Sequence, residues 1–218
     1  MTLIPAPFLF RFTVPVSRMD KLPRGKAPLL KLPASCHVPF PSILASGPDF
    51  ARLALAWNPQ GLVVEVTVEG KKQPVYGDQN SEISSDSVRI WIDTRDTQNQ
   101  HRGSRFCHHF IAQPMGGGDT GTEPVFRQLP VPRAREEAPF AEEDLLLPEA
   151  EITSSGYRLS LWFPRESLHG FDPGPGTRLG FYLVVHDREL GQQVLTVTDD
   201  FPYESDPSQW VSLELEST

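Results

Sequence analysis

In LVVEVTVE, residues 62–69, Leu62, Val64, Val66 and Val68 fall on every second position, and the same two-residue period recurs along the chain. Successive side chains of an extended strand point to opposite faces, so such runs predict half-buried strands rather than helices. FARLALAW, residues 50–57, sets Leu53, Leu55 and Trp57 against Ala54 and Ala56. Asn58-Pro59-Gln60-Gly61 then supplies a turn, and the two runs predict a β-hairpin. DSVRIWID (86–93) alternates with Val88, Ile90 and Ile92 inward, and GYRLSLWF (156–163) with Tyr157, Leu159, Leu161 and Phe163 inward. Further strands are expected at Leu9–Val16, Arg105–Ala112, Ala150–Thr153, Leu179–Asp187, Val194–Thr198 and Trp210–Leu215, with a short helical turn at Pro164–Leu168. Short strands separated by turn clusters, with no sustained helical period, predict an all-β antiparallel sandwich of jelly-roll type.

Proline reinforces this. There are 22 in 218 residues, nine of them before residue 50, and a helix interior tolerates proline poorly. The expected organisation is a single domain over 1–218. Residues 1–48 form an extended proline-rich segment, 50–112 and 150–216 carry the sandwich strands, and 113–149 form a long irregular insertion around Gly116-Gly117-Gly118. The chain is long enough to bury a sizeable core. With 28 acidic against 20 basic residues and no Lys/Arg block, nucleic acid is excluded as a partner. No apolar run approaches the ~20 residues of a membrane span. The first residues, MTLIPAPFLFRFTVPVSRMDK, lack the charged and apolar regions of a signal peptide, which reads as cytoplasmic by default, with a removed leader as the alternative. Cys36 and Cys107 allow one bridge or two free thiols, but no disulfide scaffold and no CxxC zinc pattern.

The order of strands carries a resemblance. LALAWNPQGLVVEVTVEG, then DSVRIWID, SGYRLSLWFPRESL, GTRLGFYLVVHDRE and DPSQWVSLEL resemble the family 9 carbohydrate-binding modules and the wider group of DOMON-like sandwich domains, over about residues 50–215. The resemblance implies a jelly-roll sandwich and non-catalytic sugar binding, with structural calcium in some members and haem in related DOMON domains. The stretch DTRDTQNQHRGSRFCHHF and the proline-rich insertion lie outside the general pattern.

Alternation makes a separate prediction. If the aliphatic sides face the core, the opposite sides collect Glu65, Thr67, Arg89, Trp91, Asp93, Arg158, Ser160, Trp162, Tyr182 and His186. Exposed aromatics in a contiguous patch mark binding surfaces, and sugars suit them: their C–H faces pack on rings while Arg and Asp take hydroxyl hydrogen bonds. The expected ligand set is Trp91 and Trp162 as stacking platforms with Tyr182, and Arg89, Asp93, Arg158 and His186 as hydrogen-bonding partners. In the competing reading the segments 1–48 and 113–150 lie over these aromatics. They then form a second, covered core in a structural or protein-interaction domain.

Asp93, Asp96, His101, Cys107, His108 and His109 fall within 17 residues. Cys107 and His109 share a strand face and, with Asp93, form a candidate transition-metal set, while Asp93 and Asp96 with loop carbonyls form a candidate calcium site. The plainer alternative makes His108 a hydrogen-bonded histidine between Phe106 and Phe110. No enzyme class is indicated. Asp119-Thr120-Gly121 follows a glycine triplet rather than an apolar strand, Met115 is the only mid-chain methionine for a haem, and the run around Glu136, Glu137, Glu142, Glu143 and Asp144 reads as a solvated surface. GxGxxG, GxxxxGK[ST], GxSxG and HExxH are absent.

Overall fold

A computed structural model describes residues 12–21, 31–41, 48–82 and 84–217. Twelve strands follow in order: β1 Thr13–Arg18, β2 His37–Val38, β3 Ala51–Asn58, β4 Gly61–Glu69, β5 Ser87–Asp93, β6 Cys107–Gly117, β7 Glu123–Leu129, β8 Leu147–Thr153, β9 Gly156–Pro164, β10 Arg178–Asp187, β11 Gly191–Val194 and β12 Val211–Leu215. They hydrogen-bond along one path, β7-β6-β5-β10-β12-β1-β3-β4-β9-β8, with β11 added beside β10 and β2 beside β3. The path folds back on itself so that the two end strands, β7 and β8, approach one another, and the result is a nearly closed, barrel-like β structure.

Period-two alternation builds the core. Leu62, Val64, Val66 and Val68 of β4 register against Phe163, Leu161, Leu159 and Tyr157 of β9 and face Val88, Ile90, Ile92, Phe181 and Leu183 of the other half. Trp57 closes this core from β3, its indole N–H donating to the Glu216 carbonyl at 3.0 Å. The other side of each half is covered as well. Outside β3, β4 and β9, Ala54, Ala56, Val63 and Trp162 pack with Leu32 and Cys36. Outside β5 and β10, the chain after β11 lays down Leu195, Val197 and Tyr203.

Several expectations are corrected. The strand expected at Leu9–Val16 runs from Thr13 to Arg18, and its residues 9–11 lie outside those described. It is not antiparallel: β1 pairs in parallel with β12 through Thr13–Val16 and with β3 through Ser17 and Arg18, joining the two halves of the path. The insertion 113–149 is not irregular throughout. β6 continues to Gly117, and Glu123–Leu129 forms β7, with a register shift between Gln113 and Gly117. The strand expected at Val194–Thr198 ends, rather than starts, near Val194. Cys36 and Cys107 are both free and buried in separate clusters, Cys36 at the end of a 3-10 turn before β2 and Cys107 at the start of β6. Among the described residues no helix is long and apolar enough to cross a membrane.

Candidate ligand groove

The expected ligand residues do not share one face. Trp91 and Trp162 occupy opposite outer faces of the structure, because β5 and β9 belong to opposite halves. Both indoles are covered. Trp162, 3% exposed, packs beneath Leu32 and Cys36. Arg158 and Ser160 beside it donate to Oε2 of the buried Glu65 at 3.0 Å each, an acceptor that the Leu32 amide also reaches at 3.3 Å. Arg158 also pairs with Glu151. This half of the set therefore anchors a covering segment and presents no ligand platform. The covered reading anticipated residues 1–48 here, and 32–36 are the part that does it.

Trp91 lies under a different cover. His109 stacks on it at 4.5 Å, and Tyr182 and Tyr203 meet it edge-on at 6.0 and 5.6 Å. Tyr203 in turn stacks on Tyr182 at 4.5 Å. The cover comes from the chain between β11 and β12, not from 113–150. Trp210 pins it by donating its indole N–H to the Tyr203 carbonyl at 2.8 Å. Burial, with Asp199 close by, holds the Tyr203 phenol protonated well above its usual range, so its hydroxyl donates to Asp199 at 2.9 Å and accepts from Gln192 at 3.3 Å.

Above this aromatic stack the surface is concave. One cavity of about 270 Å³ is lined by Glu82, Arg89, His186, Gln192, Tyr203 and Glu204 among others. A second, of about 590 Å³, adds Arg133, Asp199 and Phe201 and shares Gln192, Tyr203 and Glu204. The two form one groove with Tyr203 at its waist. Arg89 and His186 are thus where alternation puts them, on the outer face of β5 and β10. Tyr182 lies buried beneath Tyr203, a floor residue rather than a contact. Asp93 is absent from the groove: its carboxylate accepts from the Arg95 amide and from the Thr97 amide and hydroxyl, closing its own turn.

Charge in the groove is paired across strands. Arg89 of β5 and Arg127 of β7 flank Ile111 in register, and Glu82 spans them at 3.3 and 2.7 Å. Glu204 approaches Arg89 at 3.8 Å. Beyond the smaller cavity, Tyr76 is 41% exposed with the Arg188 guanidinium over its ring at 4.3 Å. Both are tied to Asp86, which accepts from the Tyr76 and Arg188 amides. Asp86 and Asp187 hold the buried ammonium of Lys71 at 3.1 and 2.5 Å, an ion cluster that fixes this rim.

The histidine-rich strand does not assemble a metal set. Among the described residues no three His, Cys, Asp or Glu side chains come together in a metal-holding arrangement. Burial, then the nearby Asp93, pushes the Cys107 thiol up to about 12, so it is held as the protonated thiol. Burial lowers His108 and His109 to about 4, so both are neutral. His109 Nδ1 carries its proton toward the Pro130 carbonyl at 3.1 Å, and His108 sits between the His169 carbonyl and Gln128. Asp96, held at φ 48°, spends its carboxylate on Gln98 and Ser212.

No protein-family model matches this sequence, and no curated protein matches it. Solved structures do. A family 9 carbohydrate-binding module from Caldicellulosiruptor kristjanssonii in complex with glucose superposes with a TM-score of 0.61 at 14% identity, covering 94% of this chain and 96% of that one. The fold is that of the family 9 carbohydrate-binding modules. The same organism's module in complex with cellotriose superposes with a TM-score of 0.59 at 15% identity, over 95% of this chain and 94% of that chain. For a family 9-like fold, Tyr203, Glu204, Glu82, Gln192 and Arg133 are the groove residues that alternation could not find. All lie outside the period-two runs that alternation reads. The stretch FPYESDP, an aromatic beside acids in a loop, is the kind of composition that could have pointed to one of these places.

Proposed function

We propose that this chain is a non-catalytic carbohydrate-binding domain whose ligand lies in the groove over Tyr203. One observation carries the reading: the groove joins an aromatic waist to paired arginines and carboxylates, on a fold whose solved neighbours hold glucose and cellotriose. Arg89 and Gln192 donate hydrogen bonds, Glu82 and Glu204 accept them, and the Tyr203 ring supplies an apolar surface for a C–H face. Catalysis would need a nucleophile or acid with a positioned partner; here Glu82 and Glu204 are paired with Arg89, and Asp199 is held by the Tyr203 hydroxyl and Gln192.

Calorimetric titration with glucose and cello-oligosaccharides tests it. Sugar binding is expected, weakened at least tenfold by Arg89→Ala and by Tyr203→Ala and unaffected by Glu151→Ala on the opposite face. Binding should also change the emission of Trp91, which lies directly beneath Tyr203. A wild-type protein that binds no neutral sugar at millimolar concentration overturns the reading and leaves the structural or protein-partner alternative.

A further inference from the structure

We propose that the arginine-rich surface formed by the β5–β6 connection and the 131–135 turn is a docking site for an acidic peptide segment of a protein partner. It does not depend on the carbohydrate reading above. Among the described residues Arg95, Arg102, Arg105, Arg133 and Arg135 are exposed and make no ion pair. Every other described arginine reaches a carboxylate, except Arg188, which lies over Tyr76. In a chain of net charge −8, the guanidiniums left without a carboxylate are thus gathered on two loops.

Hydrogen bonds join the two loops into one surface. Arg135 N–H donates to the Gly103 carbonyl at 2.7 Å, and Arg102 Nε to the Arg133 carbonyl at 3.0 Å. Gly103 lies so close to Val131 that a Cβ there would stand 3.0 Å from the valine side chain. Residues that form no basic block in the sequence are brought together by these contacts.

Phe106 mounts two of the charges. The guanidinium carbon of Arg95 lies 4.6 Å from its ring centroid and that of Arg105 5.1 Å. The ring itself is held: His169 stacks on it at 5.2 Å, and Gly170 backs it so closely that a Cβ would fall 2.7 Å from Cδ1. A guanidinium resting on a ring keeps its N–H edge free for the two oxygens of a carboxylate. Two like charges on one ring also repel, and no described acid pairs with either. Asp96 is spent on Gln98 and Ser212, and Asp172 pairs with Arg165.

These features select a short acidic peptide. Side-chain carboxylates match the guanidinium fork, and exposed pairs are individually weak, so a run of Asp or Glu that makes several at once is favoured. A nucleic acid offers similar attraction but brings a long phosphate array past a chain that is negative overall.

Fluorescence anisotropy of the full chain with labelled octa-glutamate tests the site, with octa-glutamine and a short single-stranded DNA as comparisons. At low salt, octa-glutamate is expected to bind at least tenfold tighter than octa-glutamine, and to weaken as salt rises. Replacing Arg95→Gln and Arg105→Gln together should lower that affinity at least tenfold with the thermal midpoint unchanged. Arg52→Gln, on β3, should leave it as it is. Failure of octa-glutamate to bind overturns the proposal, as does a double variant that binds like the wild type. DNA bound more tightly than the peptide overturns the peptide as occupant. Wild-type dimers in sedimentation that disappear in the double variant would put a second copy on this face and overturn the partner. Glucose titration reads the groove separately, so failure of either reading leaves the other standing.

Discussion

At the scale of single residues, the buried charges and rings determine how this protein responds to its environment. His108 and His109 are lowered from the ordinary 6.5 to about 4 by burial. The unfolded chain therefore binds protons that the folded one refuses, and stability present above pH 6.5 is lost as pH falls toward 4. A displacement of this size corresponds to about 3 kcal/mol for each ring. The thermal midpoint should fall across this window, and His109→Gln should remove about half of the histidine share, read by comparing melts of the two proteins from pH 7 to pH 4. Lys71 is a second pressure point. Replacing it by Met leaves Asp86 and Asp187 buried without their cation, a change that costs about 3–5 kcal/mol and lowers the midpoint by roughly 6–20 °C. A loss under 3 °C by calorimetry would show that the backbone amides on the two carboxylates suffice.

At the scale of strands, the two tryptophans part company. Trp162 belongs to the outer packing of β9 under Leu32 and Cys36, so Trp162→Ala should cost about 3–5 kcal/mol and leave groove affinity unchanged. Denaturant titration and sugar titration of the same variant check the two halves of this statement. Alternation located β3, β4, β5, β9 and β10 closely because one face of each is aliphatic and buried. It could not tell which half a strand joins, and Trp91 and Trp162 looked alike for that reason. β7 escaped because EPVFRQL carries Pro124 and sits at an end of the path, where burial on both faces is incomplete. Arg89 and His186 were legible as groove residues because they ride on strands. Tyr203, Glu82 and Arg133 ride on loops, whose positions depend on distant partners such as Trp210 and Arg102 rather than on local period.

At the scale of the whole molecule, the continuity of the sheet depends on β1, the strand with parallel partners on both sides. Removing residues 13–18 cuts the path between β12 and β3 and opens Val14 and Val16 of the core. A chain starting at Met19 should lose its cooperative thermal transition, and circular dichroism melting would show it; a sharp transition near the wild-type midpoint would mean that the halves hold each other through side chains alone. The same pairing matters during synthesis. Thr13 to Val16 register against Ser212 to Leu215, so the first strand is made long before its partner exists. At about 5–20 residues per second the interval is on the order of ten to forty seconds. Throughout it, one edge of β1 stays open to any extended segment in the cell, and the finished protein begins as a client for whatever shields nascent chains.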